Sequence, residues 1–169
     1  HQNTPITLKA LANHSSGLPR LPPNLDLKEV DPQNPYKDYD ETMLDAFLKN
    51  ELNLPSSAVG TYKYSNLGAG LLGYVLAKQA NQPFETLLQT NITEKYGMNN
   101  TTSLREKISV PLVSGLDAKG NETSNWDFSV LSGAGGILST MEDMTKFTIA
   151  HLDNDNKTLQ MTTQETFRA

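Results

Sequence analysis

A phenol, a hydroxyl and an amide stand side by side at Tyr64-Ser65-Asn66, immediately ahead of an apolar run. A tyrosine in that position could move a proton. Its plainer use is as a core aromatic with its hydroxyl hydrogen-bonded, and those three residues alone do not decide between the two. Gly68-Ala69-Gly70-Leu71-Leu72-Gly73 matches the letters of a dinucleotide-binding loop. Such a loop must be a turn between a strand and a helix N-terminus that faces a pyrophosphate. Here Tyr64-Ser65-Asn66 already supplies the turn and the cap, which puts all three glycines inside the helix. Each glycine there costs about 1 kcal/mol relative to alanine, so their presence predicts a close backbone approach on that face. Ser132-Gly133-Ala134-Gly135-Gly136 lacks the Lys-Ser/Thr ending of a phosphate loop. Val130 stands where a nucleophile elbow around Ser132 needs glycine. A tight turn approached by another segment is the better reading. His1, His14 and His151 show no metal-ligand spacing, and the chain has no cysteine, so no metal or cofactor site is expected.

The elements that position these residues are mostly helices. Thr7 can cap a short helix through Leu8, Leu11 and Ala12. Residues 18–40 hold five prolines and read as a long irregular connection lying over a surface. Asp38 and Glu41 have capping-box spacing, followed by Met43, Leu44, Phe47, Leu48 and Leu52 at helical intervals. Residues 61–64 are β-prone, and Ser65 or Asn66 caps a helix over 67–80 that is apolar nearly all round, hence a buried central helix. Pro83 opens the next, with Glu85 in its first turn, and Gly97 stops it. Two short strands are predicted around 110–113 and near Phe128. A capping box at Ser139 and Glu142 then starts a helix carrying Met141, Met144, Phe147 and Leu152. Residues 153–169 form a polar C-terminal segment.

Thr61-x-Lys63-Tyr64-Ser65-Asn66-x-Gly68, followed by Leu71-Leu72-Gly73-Tyr74-Val75-Leu76, closely resembles the second conserved box of the class C β-lactamase and penicillin-binding-protein-like serine hydrolases. Ile6-Thr7-Leu8-Lys9-Ala10-Leu11 with His14-Ser15-Ser16-Gly17-Leu18 resembles the segment that precedes that box. Pro83-Phe84-Glu85 through Tyr96-Gly97-Met98 resembles the helix that follows it. Gly135-Gly136-Ile137-Leu138-Ser139-Thr140 with Asp143 resembles a further signature. Four blocks in the family's order span most of the chain.

The resemblance implies a mainly α chain with minor short strands, the helical lobe of the β-lactamase/transpeptidase-like α+β fold, with its sheet domain largely absent. It implies an acyl-enzyme mechanism on amide, lactam or ester carbonyls, with Tyr64 and Asn66 as catalytic residues. The tyrosine assists proton transfer, and the asparagine orients the substrate amide and a lysine. The family's nucleophile lies in Ser-x-x-Lys, and no serine here has lysine three residues on. The family's third motif is Lys-Thr-Gly or His-x-Gly. Lys157-Thr158-Leu159 lacks the glycine, and no His-x-Gly occurs. Residues 1–169 therefore read as a single, truncated helical domain cut at both ends and inactive by itself. A free tyrosine titrates near about 10 and needs a nearby cation to act as a base. The alternative is a non-enzymatic binding or interaction module derived from the same lobe.

The net charge of −5, with no basic cluster, argues against a nucleic-acid partner. No apolar stretch is long enough to span a bilayer. A nearly all-apolar helix without its cover predicts self-association through exposed apolar surface. Periplasmic, cell-envelope or secreted location is implied by the resemblance alone.

Overall fold

The computed structural model describes residues 5–153 and 155–165. His1 and the last four residues, which entered the readings above, lie outside them. Among the described residues, five helical bodies and a last helical turn carry the fold. Helix α1 is Leu8–Ala12, α2 Glu41–Ala46, α3 Asn66–Ala80, α4 Phe84–Leu88, α5 Glu94–Tyr96 and α6 Met141–Leu152. A π-helical turn at Gln89–Thr93 joins α4 to α5 in one body, and another at Phe47–Glu51 extends α2. A last turn, α7, spans Lys157–Gln160. Among the described residues the sheet is a single antiparallel pair, β1 (Gly115–Leu116) with β2 (Glu122–Thr123). The fold is thus the mainly helical one the sequence implies, but both strands lie away from 110–113 and Phe128. Residues 61–64 likewise form no strand.

The caps follow elementary hydrogen bonding, with two corrections. Thr7 Oγ1 accepts from Ala10 N, and Gly97 ends α5 at φ 65°. The cap of α2 is Asp40, not Asp38; its carboxylate accepts from Met43 N at 2.9 Å. Tyr39 is almost fully buried just before it, after a turn closed by Tyr39 N donating to Tyr36 O. The chain must turn Tyr39 inward before the helix starts. At α6 the cap is Thr140, accepting from Asp143 N, because the Ser139 hydroxyl is bonded to Thr101 instead.

Residues 18–40 have no regular element, yet they are core rather than cover. Leu18, Leu25, Tyr36 and Tyr39 join Leu11, Leu44, Phe47, Leu54, Leu67, Leu71 and Leu131 in the central apolar cluster. Each such leucine contributes about 1.5–3 kcal/mol by its burial. Helix α3 is buried only in its first half, through Leu67, Gly68, Gly70, Leu71 and Gly73. Its glycines do what their cost implied. A β-carbon on Gly70 would lie 2.6 Å from Leu131 Cδ2, and one on Gly73 would lie 3.1 Å from Gly133 Cα. The Ser132–Ala134 turn packs directly on the helix backbone, so no glycine is left to cradle a pyrophosphate.

Two buried carboxylates hold the second half. Burial alone would raise the Glu85 carboxyl. Bonds from Ser103 N, the Ser103 hydroxyl, the Thr102 hydroxyl and Gln89 outweigh burial and hold it below the usual carboxylate range. Asp143 is fully buried on α6, where burial opposes its charge. Asn100 N at 2.7 Å, the Thr101 hydroxyl at 2.9 Å and Lys146 at 3.1 Å hold its carboxyl low. Helix α6 thus turns a charge inward and its apolar face outward, with Met141, Met144, Ile149 and Leu152 exposed.

Candidate active site

The site is built where two loops are laced together. Lys63 N donates to His14 O at 2.7 Å, and Gly60 N donates to Ser15 O at 2.8 Å. Leu67 N donates to Arg20 O at 3.1 Å, and the Ser65 hydroxyl donates to Pro19 O at 2.6 Å. Residues 14–20 and 60–67, far apart in sequence, become one rigid ledge at the start of α3.

Ser65 is fully buried, and both of its hydroxyl functions are in use. It donates to Pro19 O and accepts from Gly68 N at 2.8 Å as the cap of α3. This geometry makes it a structural residue, with neither exposure nor a base to activate it. Tyr64 points the other way and is 47% exposed, on a backbone held from both sides. Asn66 occupies the first helical position, half-buried, and its side chain favours the ionised form of the Tyr36 phenol. The structure therefore brings both sequence-predicted site residues to one ledge. Lys157-Thr158-Leu159 lies in helix α7, with Leu159 buried, so it is no strand motif.

Three neighbours escaped the sequence reading. From spacing alone His14 reads as a satisfied helix-end or surface histidine. Its backbone is left-handed, at φ 59°, and its Nδ1 accepts from Ser65 N at 3.2 Å. The neutral ring then carries its proton on Nε2. The same ring packs on Tyr64, centroids 4.5 Å apart. Arg20 sets its guanidinium 5.7 Å from the Tyr64 ring centroid. Tyr36 is buried and stacks on Phe128 at 4.7 Å, with Trp126 at 5.5 Å. Burial pushes its phenol above the ordinary tyrosine value, against the pull of Asn66 and Arg20, so it stays protonated and able to donate. Reciprocal bonds fix its place, since Asn34 Nδ2 donates to Asp127 Oδ2 and Asp127 N donates to Asn34 Oδ1, each at 2.7 Å. No short-range spacing links residues 14, 20, 36 and 64; only the tertiary lacing does. His151, by contrast, is satisfied at the end of α6, with Phe147 O at 2.9 Å and the Thr162 hydroxyl at 3.2 Å.

The ledge can offer a phenol to a reacting group, an amide to a substrate dipole, and a nearby cation. It holds no exposed nucleophile paired with a base. Among the described residues, no cluster of His, Asp and Glu suits a metal, and no helix is long and apolar enough to cross a membrane.

Comparison with known proteins gives a consistent result. A family model described as Beta-lactamase matches residues 1–169. Beta-lactamase-like protein 2 of Dictyostelium discoideum is 30% identical over 93% of the chain. The D-alanyl-D-alanine-carboxypeptidase/endopeptidase AmpH of Escherichia coli is 27% identical over 92% of it. Among solved structures, a β-lactamase/D-alanine carboxypeptidase from Yersinia pestis superposes with TM-score 0.65 at 28% identity, covering 92% of the chain. An octameric penicillin-binding protein homologue from Pyrococcus abyssi has the same fold, with TM-score 0.71 at 21% identity over 98% of the chain. The chain spans 28% of the Dictyostelium relative, 38% of the Escherichia coli one, and 44% and 40% of the two solved chains.

Proposed function

We propose that this chain, which belongs to the β-lactamase family, supplies one wall of the acyl-transfer site of a serine hydrolase. The nucleophile is a serine in Ser-x-x-Lys, which 1–169 does not contain. Its Oγ bonds to the carbonyl carbon of an amide, lactam or ester. Tyr64 takes the serine proton and passes it to the departing nitrogen or oxygen as that bond breaks. Water then attacks the acyl-enzyme, its proton travelling through the same phenol, and the serine is restored. Asn66 holds the substrate's acyl amide and the lysine.

The observation that carries this reading is the division of labour on the ledge. Ser65 is buried with both hydroxyl functions satisfied, while the adjacent Tyr64 is presented to solvent on a backbone pinned to residues 14–20. A tyrosine kept for the core would be buried with its hydroxyl bonded.

The test is steady-state hydrolysis of nitrocefin, p-nitrophenyl esters and D-Ala-D-Ala peptides by the full-length protein. Tyr64→Phe is expected to lower kcat by about 10²–10⁴-fold, the usual size of general acid–base assistance, with KM little changed. The isolated 1–169 chain is expected to turn over none of these substrates. Full kcat in Tyr64→Phe would sink the proposal. A full-length protein inert to all three substrate classes would favour the binding-module reading.

A further inference from the structure

Arg20 is an unusual cation for this chain. Arg105, the other arginine among the described residues, is committed to Asp127 at 2.8 Å. Arg20 is exposed and has no ion pair with an acidic residue among the described residues. Its position is nevertheless fixed. Its carbonyl accepts from Leu67 N, the preceding carbonyl accepts from the Ser65 hydroxyl, and its guanidinium lies over the Tyr64 ring. Its charge also pulls the Tyr36 phenol down, against the burial that raises it. A protein of net charge −5 therefore sets an unneutralised guanidinium beside the tyrosine of its candidate site.

We infer that Arg20 is a specificity residue, selecting substrates whose acyl group carries a carboxylate a few bonds from the scissile carbonyl. This rests on the hydrolase reading above. The hydrolase reading places the acyl side against Asn66, and Arg20 lies over the ring of Tyr64, two residues before it. A guanidinium suits the task because its planar fork meets a carboxylate with two parallel bonds. Stacking on Tyr64 holds the fork in place, so less freedom is lost when the substrate binds.

The experiment compares two p-nitrophenyl esters of similar length in the full-length protein, the anionic monosuccinate and the neutral valerate. The quantity read is the ratio of their kcat/KM values, which cancels any loss common to both. Arg20→Gln is expected to lower the anionic-over-neutral ratio about tenfold, the scale of one charge-assisted contact near water. Arg20→Lys, which keeps the charge and loses the fork, is expected to retain part of the preference. In the wild type the ratio is expected to fall as salt rises from about 20 mM to about 300 mM, because screening weakens an exposed contact. A ratio unchanged within about twofold in Arg20→Gln, or flat with salt, would overturn the assignment of Arg20 and leave the hydrolase standing. Loss of both esters already in the wild type would overturn the hydrolase reading and this one with it.

Discussion

Gly133→Ala isolates the contact on which the ledge rests. A β-carbon built there would sit 2.7 Å from the carbonyl oxygen of Ala69 and 3.2 Å from Gly73 Cα. Ordinary contact begins near 3.4 Å, so the turn must withdraw by about 0.7 Å from a helix backbone that has no side chain to swing away. Leu131, which fills the space over Gly70, moves with it. Overpacking of this kind costs about 1–3 kcal/mol, and the backbone neighbour puts Gly133→Ala near the middle, about 2 kcal/mol. That corresponds to roughly 30-fold faster hydrogen exchange for amides whose opening the contact restrains. The assay is hydrogen–deuterium exchange on full-length protein, reading peptides over 66–73. Gly97→Ala is the control, with φ 65° and nothing within 4 Å of the added carbon. It should cost about 1 kcal/mol through backbone conformation and leave 66–73 unaffected. Gly73→Ala combined with Gly133→Ala should be non-additive, because the two glycines touch. Exchange over 66–73 within about threefold of wild type in Gly133→Ala would refute the packing argument.

Three further outcomes are expected. His14→Ala removes the acceptor of Ser65 N–H and the ring against Tyr64, so kcat/KM should fall about fivefold, the worth of one ordinary hydrogen bond. In a Tyr64→Phe background it should cost nothing more, and an equal loss in both backgrounds would deny that His14 acts through Tyr64. Glu85 and Asp143 have folded carboxyls held low, so their stabilisation is present above the ordinary carboxylate range and is lost as pH falls through and below it. Melting temperature should therefore drop below about pH 4. Glu85→Gln should be less stable at neutral pH by about 1.5–3 kcal/mol, with a shallower acid limb, and an unchanged limb would reject this account. The isolated chain should self-associate in sedimentation velocity. Met141, Ile149 and Leu152 line one exposed face of α6, and Leu76, Phe84, Leu87 and Ile137 line an open apolar groove of about 570 Å³. A monomer at high concentration would contradict this.

Features governed by neighbours in sequence were legible: the Thr7 cap, the Pro83 start, the Gly97 stop and three glycines that had to be packing surface. Spacing misled where two residues competed for one role. Ser139 and Thr140 are adjacent, and only the bond from Ser139 to Thr101 decides which of them caps α6. Asp38 lost its cap to Asp40 because Tyr39 had to be buried first. Glu85 read as a charge in a first turn, whereas four polar groups supplied by residues 89–103 make it a buried anchor. The two proposed site residues, Tyr64 and Asn66, stand in a recognisable motif. His14 stands in the block that precedes it, with no role assigned there, and Arg20 and Tyr36 stand in none, because lacing between 14–20 and 60–67 and the Asn34–Asp127 clasp place them. The apolar side of α6 was visible in the sequence, but its outward orientation depends on Asp143 finding Asn100 and Thr101.

The central claim is that this chain is a wall of an acyl-enzyme site and does not hold the nucleophile. Trapping the acyl-enzyme of the full-length protein with a slow β-lactam or an activated ester, then mapping the adduct by peptide mass, tests it directly. One adduct is expected, on a serine followed three residues later by lysine and outside 1–169, with accumulation slowed in Tyr64→Phe. An adduct on Ser65, or on any other serine within 1–169, would contradict it.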